Sequence, residues 1–299
     1  MKTKVRNIRR KLISIITAFA CLLALLSLVV GKENLISCFK PAAKEKTEAH
    51  FVQFIDVGQG DCVLISSNGR TALIDTGTYS SGNNTCIKLN RLGIKQIDII
   101  AISHLHSDHT GGLERVVDNF KVKNLLLPTL STQSEGLNSA LYAINALTKS
   151  GGGVYTAVQG MNFNVGEFEI TVLAAFEDEN ENNRSLMLMA EIQGKKFLFT
   201  GDAEKKAERK LLEENLNLDC DVYKSGHHGS NTSNDEEFLR ALSPDYVAIS
   251  VGQDNMYGHP HDEIITRIQD LDAKIYRTDI NGDITFVVNN GEISAKTEK

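Results

Sequence analysis

Cysteine is scarce in this sequence, and its placement excludes a disulfide-stapled domain. Only five of the 299 residues are cysteine, three of them follow residue 49, and no Cys-x-x-Cys pair occurs. An odd number of dispersed cysteines is not the pattern of an extracellular disulfide framework. No base accompanies these thiols in the sequence, so a catalytic cysteine is not predicted. We expect Cys62 and Cys220 to be buried as small hydrophobic residues.

Basic residues are also scarce once the first eleven residues are set aside. Six of the 32 lysines and arginines lie in residues 1–11, so residues 12–299 carry 26 basic groups against 38 acidic ones. A domain with this net negative charge repels a polyanion at long range unless bound dications and a local basic patch offset it. The composition therefore argues against non-specific nucleic-acid binding, although it leaves a nuclease open.

The N-terminal segment has the composition of a membrane anchor. Residues 12–31 contain no charged side chain and have about the length that spans a bilayer. Because a basic segment precedes them, residues 1–31 predict a signal-anchor with the remaining chain outside the cytoplasm. No Ala-x-Ala cleavage site follows, which favours an uncleaved single-pass protein of the cell membrane over a secreted one. Cys38 ends a lipoprotein-like box, so a lipoprotein is a further alternative.

The rest of the chain divides into a linker and one domain. Residues 32–49 are polar and predict a linker, and residues 50–299 alternate short strand patterns with amphipathic helices. A β-meander opens the domain, with Asn68-Gly69 as its hairpin turn, and a second β-rich half begins at Val154. Two such halves predict an α/β fold with two packed sheets between helical layers, a four-layer αββα arrangement.

Three histidines and one aspartate lie within six residues after an apolar run. The run 97–102 predicts a buried strand, and His104, His106, Asp108 and His109 follow it. Ligands of α/β sheets bind beyond the carboxyl ends of strands. Histidine is the commonest ligand of transition metals, and a carboxylate adds a hard oxygen donor. This cluster therefore predicts a metal site with room for two neighbouring ions.

Other groups that can bind metal also follow predicted strands. Asp75 follows Leu73-Ile74, and Asp202 ends the stretch 198–202. Seven of the eight histidines lie in three tight clusters, which are 104–109, the pair His227-His228, and the pair His259 and His261. An aspartate at a strand end is commonly a turn residue, but its recurrence beside histidines favours a shared site.

The pattern resembles the metallo-β-lactamase superfamily, whose hallmark is His-x-His-x-Asp-His. More narrowly it resembles the hydrolase domain at the end of ComEC-type DNA-uptake channels. The matching stretches are 56–61 (DVGQGD), 73–77 (LIDTG), 103–112 (SHLHSDHTGG), 182–186 (NNRSL), 198–202 (LFTGD), 227–230 (HHGS) and 257–261 (YGHPH). This resemblance implies the four-layer metallo-β-lactamase sandwich and a cofactor of two divalent ions, zinc or manganese.

The resemblance also implies a role for each matching residue. The implied ligands are His104 and His106 for one ion, Asp108, His109 and His227 for the other, and Asp202 as the bridge between them. Asp75 is expected behind the site, where it orients the metal-binding histidines. His227 is preferred to His228 because the family places this ligand directly after a strand and a glycine. Besides Asp108, the implied catalytic residues are His228 and His259, which are candidate proton donors together with His261.

The chain departs from the family pattern at one ligand. Many members supply a further histidine to the first ion, just before the strand that begins here at Leu186. This chain has Asn182 and Asn183 there, so Asn182 is at most a weak ligand. A site with fewer nitrogen donors accepts manganese as well as zinc. Asp61 lies in a matching stretch and receives no role.

The predicted function is therefore hydrolysis by a metal-activated water. The expected substrate is a phosphodiester or phosphate ester, with nucleic acid as one candidate. Such a protein contacts the membrane through residues 12–31, and the sequence identifies no protein partner. The alternative is a non-catalytic metal-binding module that assists DNA uptake or envelope assembly.

Overall fold

The computed structural model describes residues 50–299, and the predicted signal-anchor and linker lie outside this range. Seventeen strands form its sheets, in chain order β1 (His50–Phe54), β2 (Val63–Ser67), β3 (Arg70–Ile74), β4 (Gln96–Ile97), β5 (Ile99–Ala101), β6 (Lys121–Val122), β7 (Asn124–Leu127), β8 (Gly153–Thr156), β9 (Asn162–Val165), β10 (Phe168–Ala174), β11 (Met187–Ile192), β12 (Lys195–Phe199), β13 (Val222–Lys224), β14 (Tyr246–Ile249), β15 (Lys274–Arg277), β16 (Ile284–Asn289) and β17 (Glu292–Thr297). Among residues 50–299, no helix has the length and apolar composition needed to cross a bilayer.

Eight α-helices and two short 3-10 turns connect the strands of this region. The helices are α1 (Gly82–Arg91), α2 (Ser107–Thr110), α3 (Leu113–Asn119), α4 (Leu137–Ser150), α5 (Lys205–Glu213), α6 (Glu236–Leu242), α7 (Asp262–Gln269) and α8 (Thr278–Asn281). The 3-10 turns are Asn182–Arg184 and Gly226–Gly229. Local sequence explains several boundaries. The Asn68-Gly69 turn joins β2 to β3 with positive φ at both residues, and Gly151 ends α4 in the left-handed region.

The strands build two mixed sheets that pack face to face. The first has the order β17-β16-β1-β2-β3-β5-β7-β8, and the second has the order β15-β14-β13-β12-β11-β10-β9. Aromatic rings join their inner faces, since the Phe54 and Phe199 centroids lie 6.2 Å apart and those of Phe197 and Phe286 lie 6.5 Å apart. The predicted pair of packed sheets in an α/β fold is confirmed.

Helices cover the outer face of each sheet. Leu89 of α1, Val116 of α3 and Ala143 of α4 share a buried cluster with the first sheet. Leu211 of α5, Leu239 of α6 and Ile264 of α7 belong to the cluster on the second. Both sheets thus have a buried inner and outer face, which explains why their central strands are apolar throughout.

The structure corrects two details of the predicted strands. The run 97–102 is not one strand, because Asp98 separates β4 from β5 and β4 pairs with β6 in a sheet of two strands. Asp98 is buried and accepts a hydrogen bond from the Thr71 N–H at 3.0 Å. The last two strands also belong to the first sheet rather than to the second, because β16 pairs with β1 and β17 pairs with β16.

Candidate metal centre

The predicted site residues meet where parallel strands of both sheets end. In the first sheet, β3 and β5 run parallel, and Asp75 and His104 follow them. In the second, β12 and β13 run parallel, and Asp202 and the His227-His228 pair follow them. The loop after β5 continues into α2, which carries Asp108 and His109. Strand ends therefore bring together residues that lie far apart in the sequence.

Four of these side chains form a compact group. Asp108, His109, Asp202 and His228 each offer one donor atom, and the four atoms lie within 4.8 Å of one another. The Nε2 atom of His228 lies 3.2 Å from Oδ2 of Asp108 and 3.5 Å from Oδ2 of Asp202. The Nε2 atom of His109 lies 3.3 Å from the same Asp202 oxygen. Two imidazoles and two carboxylates thus converge on one point.

Asp75 lies behind this group and contacts one of its histidines. Its Oδ2 atom is 2.8 Å from Nδ1 of His109, and its Oδ1 accepts a hydrogen bond from the Ser103 N–H at 2.7 Å. The first contact leaves Nε2 of His109 facing Asp202, which is the arrangement expected of a carboxylate that supports a metal-binding histidine. Asp75, His109 and Asp61 also form a second group of donor atoms within 4.8 Å of one another.

His104 and His106 lie beside the compact group, and neither belongs to the two groups of closely spaced donors. The Nε2 atom of His104 is 4.0 Å from Oδ2 of Asp202 and 3.0 Å from Nδ1 of His106. His104 is completely buried, whereas His106 is half-buried and lines the cavity described below. The two rings contact each other edge to face, with centroids 4.7 Å apart.

The geometry favours His228 over His227 as the partner of Asp108 and His109. Both histidines have positive φ values, 49° and 55°, which turn consecutive side chains in different directions. The His228 Nδ1–H donates to the Ser250 carbonyl at 2.9 Å, so its Nε2 faces the carboxylates. His227 is 22% exposed, and its Nε2 lies 3.7 Å from Oδ2 of Asp202. The choice between neighbours depends on backbone angles that no sequence pattern reveals.

The remaining predicted residues occupy the edge of the site. The Nδ1 atom of His259 is buried without a hydrogen-bond partner, and its ring centroid lies 5.5 Å from that of His227. His261 precedes α7, and its Nδ1 accepts a hydrogen bond from the Asn231 N–H at 2.9 Å. Asn182 donates to Oε1 of Glu204 at 3.1 Å, while its own Oδ1 has no partner.

Sequence reasoning missed the importance of Asp61 and Lys224. The two form an ion pair with 2.6 Å between Oδ2 and Nζ, and both are almost completely buried. Asp61 also reaches the histidines, with Oδ1 3.4 Å from Nδ1 of His228. Lys224 ends an otherwise apolar strand two residues before Gly226-His227. A lysine at a strand end is ordinarily exposed, so the sequence carried no signal that identified the pair.

Burial and charge shift the pKa values of this site in opposite directions. Burial raises the pKa of the Asp61 carboxyl, but the Lys224 ammonium and His228 outweigh it and lower the value to about 2. Burial lowers the pKa of His228, but Asp202 and Asp61 raise it to about 10. The Asp61 carboxylate is therefore ionised at neutral pH, whereas burial raises the pKa of the Asp75 carboxyl.

The donor atoms fit a divalent cation. Among the buried side-chain atoms of residues 50–299, His109 Nε2 and Asp202 Oδ1 have no hydrogen-bond partner. An unpaired buried polar atom is unfavourable unless another group satisfies it. Imidazole nitrogen with carboxylate oxygen is a donor set that suits zinc and manganese. The compact group thus has the chemistry of a metal site and an unsatisfied donor in His109 Nε2, while the unpaired Oδ1 of Asp202 lies 3.8 Å from Nζ of Lys224.

A cavity of about 640 Å³ opens onto this group. Four carboxylates line it, and neither lysine nor arginine does, within the described part of the chain. The lining residues are Gln59, Thr78, His106, Ser107, Asp108, Glu135, Asp202, His227, His228, Asp254, Asn255, Met256, Tyr257 and His259. A small molecule, or the end of a polymeric substrate, can therefore reach Asp108, Asp202 and His228 through this cavity.

Two packed sheets with a histidine and aspartate centre at their strand ends define the class of this protein. Residues 55–253 match the metallo-beta-lactamase superfamily, and the chain belongs to that superfamily. The metallo-beta-lactamase fold protein YhfI from Bacillus subtilis has a similar fold, with a TM-score of 0.51 and 11% identity over 83% of this chain and 100% of that chain. The predicted membership is confirmed.

Within the superfamily, the chain is similar to competence proteins. It is 34% identical over 260 residues to ComE operon protein 3 of Bacillus subtilis, which covers 80% of this chain and 33% of that protein. It is 31% identical over 260 residues to competence protein ComA of Neisseria gonorrhoeae, which covers 86% of this chain and 35% of that protein. The chain spans about a third of the length of these relatives. The predicted relation to competence proteins is confirmed.

Proposed function

We propose that this chain is a metal-dependent hydrolase of phosphodiesters or phosphate esters, anchored in the membrane through residues 12–31 with its domain outside the cytoplasm. The observation that carries the proposal is the convergence of four donor atoms, from Asp108, His109, Asp202 and His228, within 4.8 Å at the base of an accessible cavity. Single-stranded or duplex DNA is one candidate substrate, since the similar full-length proteins include competence proteins.

The residues divide into two neighbouring metal positions. Asp108, His109 and His228 would hold one ion, His104 and His106 would hold the other, and Asp202 would be available to both. His227, whose Nε2 lies 3.7 Å from Oδ2 of Asp202, and Asn182, whose Oδ1 has no hydrogen-bond partner, are candidate further donors. When bound, zinc or manganese supplies Lewis acidity and a water of lowered pKa. Asp75 keeps the His109 ring aligned through its 2.8 Å contact with Nδ1.

Residues that line the cavity would hold the substrate and its leaving group. Asp108 is 27% exposed, so its carboxylate both contacts His228 and faces the cavity. His259 also lines the cavity; its Nδ1 is buried, so contact with a leaving-group oxygen would be made by the rest of its partly exposed ring. Because Nε2 of His228 faces Asp108 and Asp202, we propose that contact with the leaving group falls to His259 rather than to His228.

The test is metal analysis and turnover with the full-length chain. We expect the purified chain to bind manganese or zinc and to cleave bis-p-nitrophenyl phosphate, with DNA assayed in parallel. The Asp108→Ala and Asp202→Ala variants should lose turnover, whereas the exposed control Asp219→Ala should retain it. Metal binding without turnover of any ester would favour the alternative, a non-catalytic metal-binding module. A chain that binds no metal would refute both.

A further inference from the structure

Lys224 is a buried cation at the centre of an acidic site. It is the last residue of β13, and its side chain is 1% exposed. Its Nζ donates to the Gly201 carbonyl at 3.0 Å, lies 2.6 Å from Oδ2 of Asp61, and lies 3.8 Å from Oδ1 of Asp202. The ammonium thus contacts one carboxylate directly and stands near a second, which the proposed function assigns to metal.

The backbone holds Asp61 in the position that engages this cation. The Asp61 N–H donates to the Asp108 carbonyl at 3.2 Å, and the Asp61 carbonyl accepts from the Gly77 N–H at 2.7 Å. Gly60, the residue before it, packs so tightly that a Cβ there would lie 2.3 Å from the Asp108 carbonyl oxygen. The Asp61 carboxylate is therefore a fixed partner rather than a mobile one.

We propose that Asp61 binds the Lys224 ammonium and so keeps Asp202 free to bind metal. Lys224 is then an internal competitor of the metal ion, and Asp61 is the positioning residue that restrains it. This inference rests on the proposed function, because it requires Asp202 to be a metal ligand. It assigns a role to Lys224, which belongs to neither group of donor atoms, and a restraining role to Asp61.

Elementary electrostatics supports the competition. A buried ammonium is costly unless it pairs with an anion, and the lysine stem is flexible enough to change partner. If Asp61 loses its charge, the Asp202 carboxylate is the nearest remaining anion, because its unpaired Oδ1 is only 3.8 Å from Nζ. An ammonium paired with Asp202 would occupy one oxygen and repel a dication strongly at this depth.

The experiment measures manganese affinity by isothermal titration calorimetry on the full-length chain and three variants, Asp61→Asn, Lys224→Met and the double variant. We expect Asp61→Asn to weaken binding by at least about tenfold, the range found when groups behind metal ligands are changed. The double variant should return to within about threefold of the unsubstituted chain, because it removes the competitor together with its restraint. Lys224→Met alone should bind manganese at least as tightly as the unsubstituted chain.

A second, partly buried ion pair supplies the control. Lys88 and Asp283 lie 2.5 Å apart and are 13% and 12% exposed, and their other polar partners are Gln53, Asp56 and Glu298, none of which belongs to the donor group. The Asp283→Asn variant and its double variant with Lys88→Met should lower the melting temperature without changing manganese affinity. This control separates a general loss of stability from a specific effect on metal binding.

Each result decides the inference. An Asp61→Asn variant that binds manganese normally, or a double variant as weak as Asp61→Asn, would overturn it. If Asp61→Asn does not fold, Lys224→Met carries the test, and a tenfold loss of affinity in that variant would overturn the competition. A failure of the unsubstituted chain to bind manganese or zinc is a different result, since it refutes the proposed function itself.

Discussion

His228 and Asp108 lie 120 residues apart in the sequence, yet Nε2 of the histidine is 3.2 Å from Oδ2 of the aspartate. The side chain of the neighbouring His227 instead makes its nearest polar contact with Thr232, whose Oγ1 lies 3.1 Å from Nδ1. The two histidines therefore have unequal positions, and their alanine variants should behave differently.

We expect His228→Ala to lose more metal affinity than His227→Ala. Removal of His228 deletes a donor from the compact group, which should cost at least about 100-fold in affinity, the upper range for residues behind the ligands. His227→Ala should cost less, because its Nε2 lies at 3.7 Å from Asp202. Calorimetric titration with zinc measures both constants. A larger loss in His227→Ala would reverse the assignment.

The carboxylate behind His109 gives a second prediction. Asp75 has a φ of 58°, a conformation that asparagine tolerates, so Asp75→Asn should keep the backbone intact. The substitution weakens the contact with His109 Nδ1 and should reduce metal affinity by about 10- to 100-fold. Metal content and the circular dichroism spectrum should be recorded together. Unchanged affinity in a folded variant would contradict the orienting role.

A third prediction concerns the pH dependence of stability through Glu208. This residue of α5 is buried, and its carboxylate accepts the N–H groups of Asn234 and Asp235 at 2.7 and 2.9 Å. Burial raises its pKa from 4.5 to about 7, although the two backbone hydrogen bonds and nearby Lys205 oppose the shift. Because the folded-state pKa is raised, the stability that Glu208 contributes is complete below pH 4.5 and is lost as the pH rises through 7.

The Glu208→Gln variant isolates this effect. Between pH 4.5 and 8, the free energy of unfolding of the unsubstituted chain should fall relative to the variant by up to about 3 kcal/mol, from the difference of the two pKa values. Urea unfolding in the presence of chelator, at several pH values, measures the difference. Parallel pH profiles for the two chains would show that Glu208 does not titrate in this range.

A fourth prediction concerns metal removal. The centre gathers buried carboxylates that a cation stabilises, so chelation should lower the melting temperature and added manganese or zinc should restore it. At a free metal concentration of about 100 times the dissociation constant, the stabilisation should be about 3 kcal/mol. Scanning calorimetry measures it, with Asp202→Asn as the control that should respond much less. Equal melting temperatures with and without metal would exclude linkage between binding and folding.

Most of the site could be located from the sequence, because histidines and aspartates that can bind metal follow apolar strands. Asp75, His104 and Asp202 each lie within three residues of a strand end, and the carboxyl ends of parallel strands meet at one edge. The sequence alone therefore predicted that histidines far apart along the chain share one centre. Periodicity and turn residues likewise predicted the two packed sheets and their helical layers.

What the sequence did not reveal depends on contacts between distant segments. The choice of His228 over His227 follows from two positive φ values and from the Ser250 carbonyl. The Asp61–Lys224 pair joins two sheets, and each residue alone is typical of an exposed strand end or turn. The break at Asp98 likewise reflects its hydrogen bond with Thr71, which local propensity does not encode.

The return of β16 to the first sheet also constrains how this protein is made. β1 lies between β2 and β16, so one edge of the first strand of the domain has no partner until residues 284–289 have been synthesised. Asp283, next to β16, also accepts a hydrogen bond from the Asp56 N–H, which precedes the Asp61 turn. A nascent chain that already contains every metal ligand therefore still exposes an open sheet edge. Synthesis of β16 is the step that pairs this edge, and chains truncated before residue 284 should aggregate rather than fold.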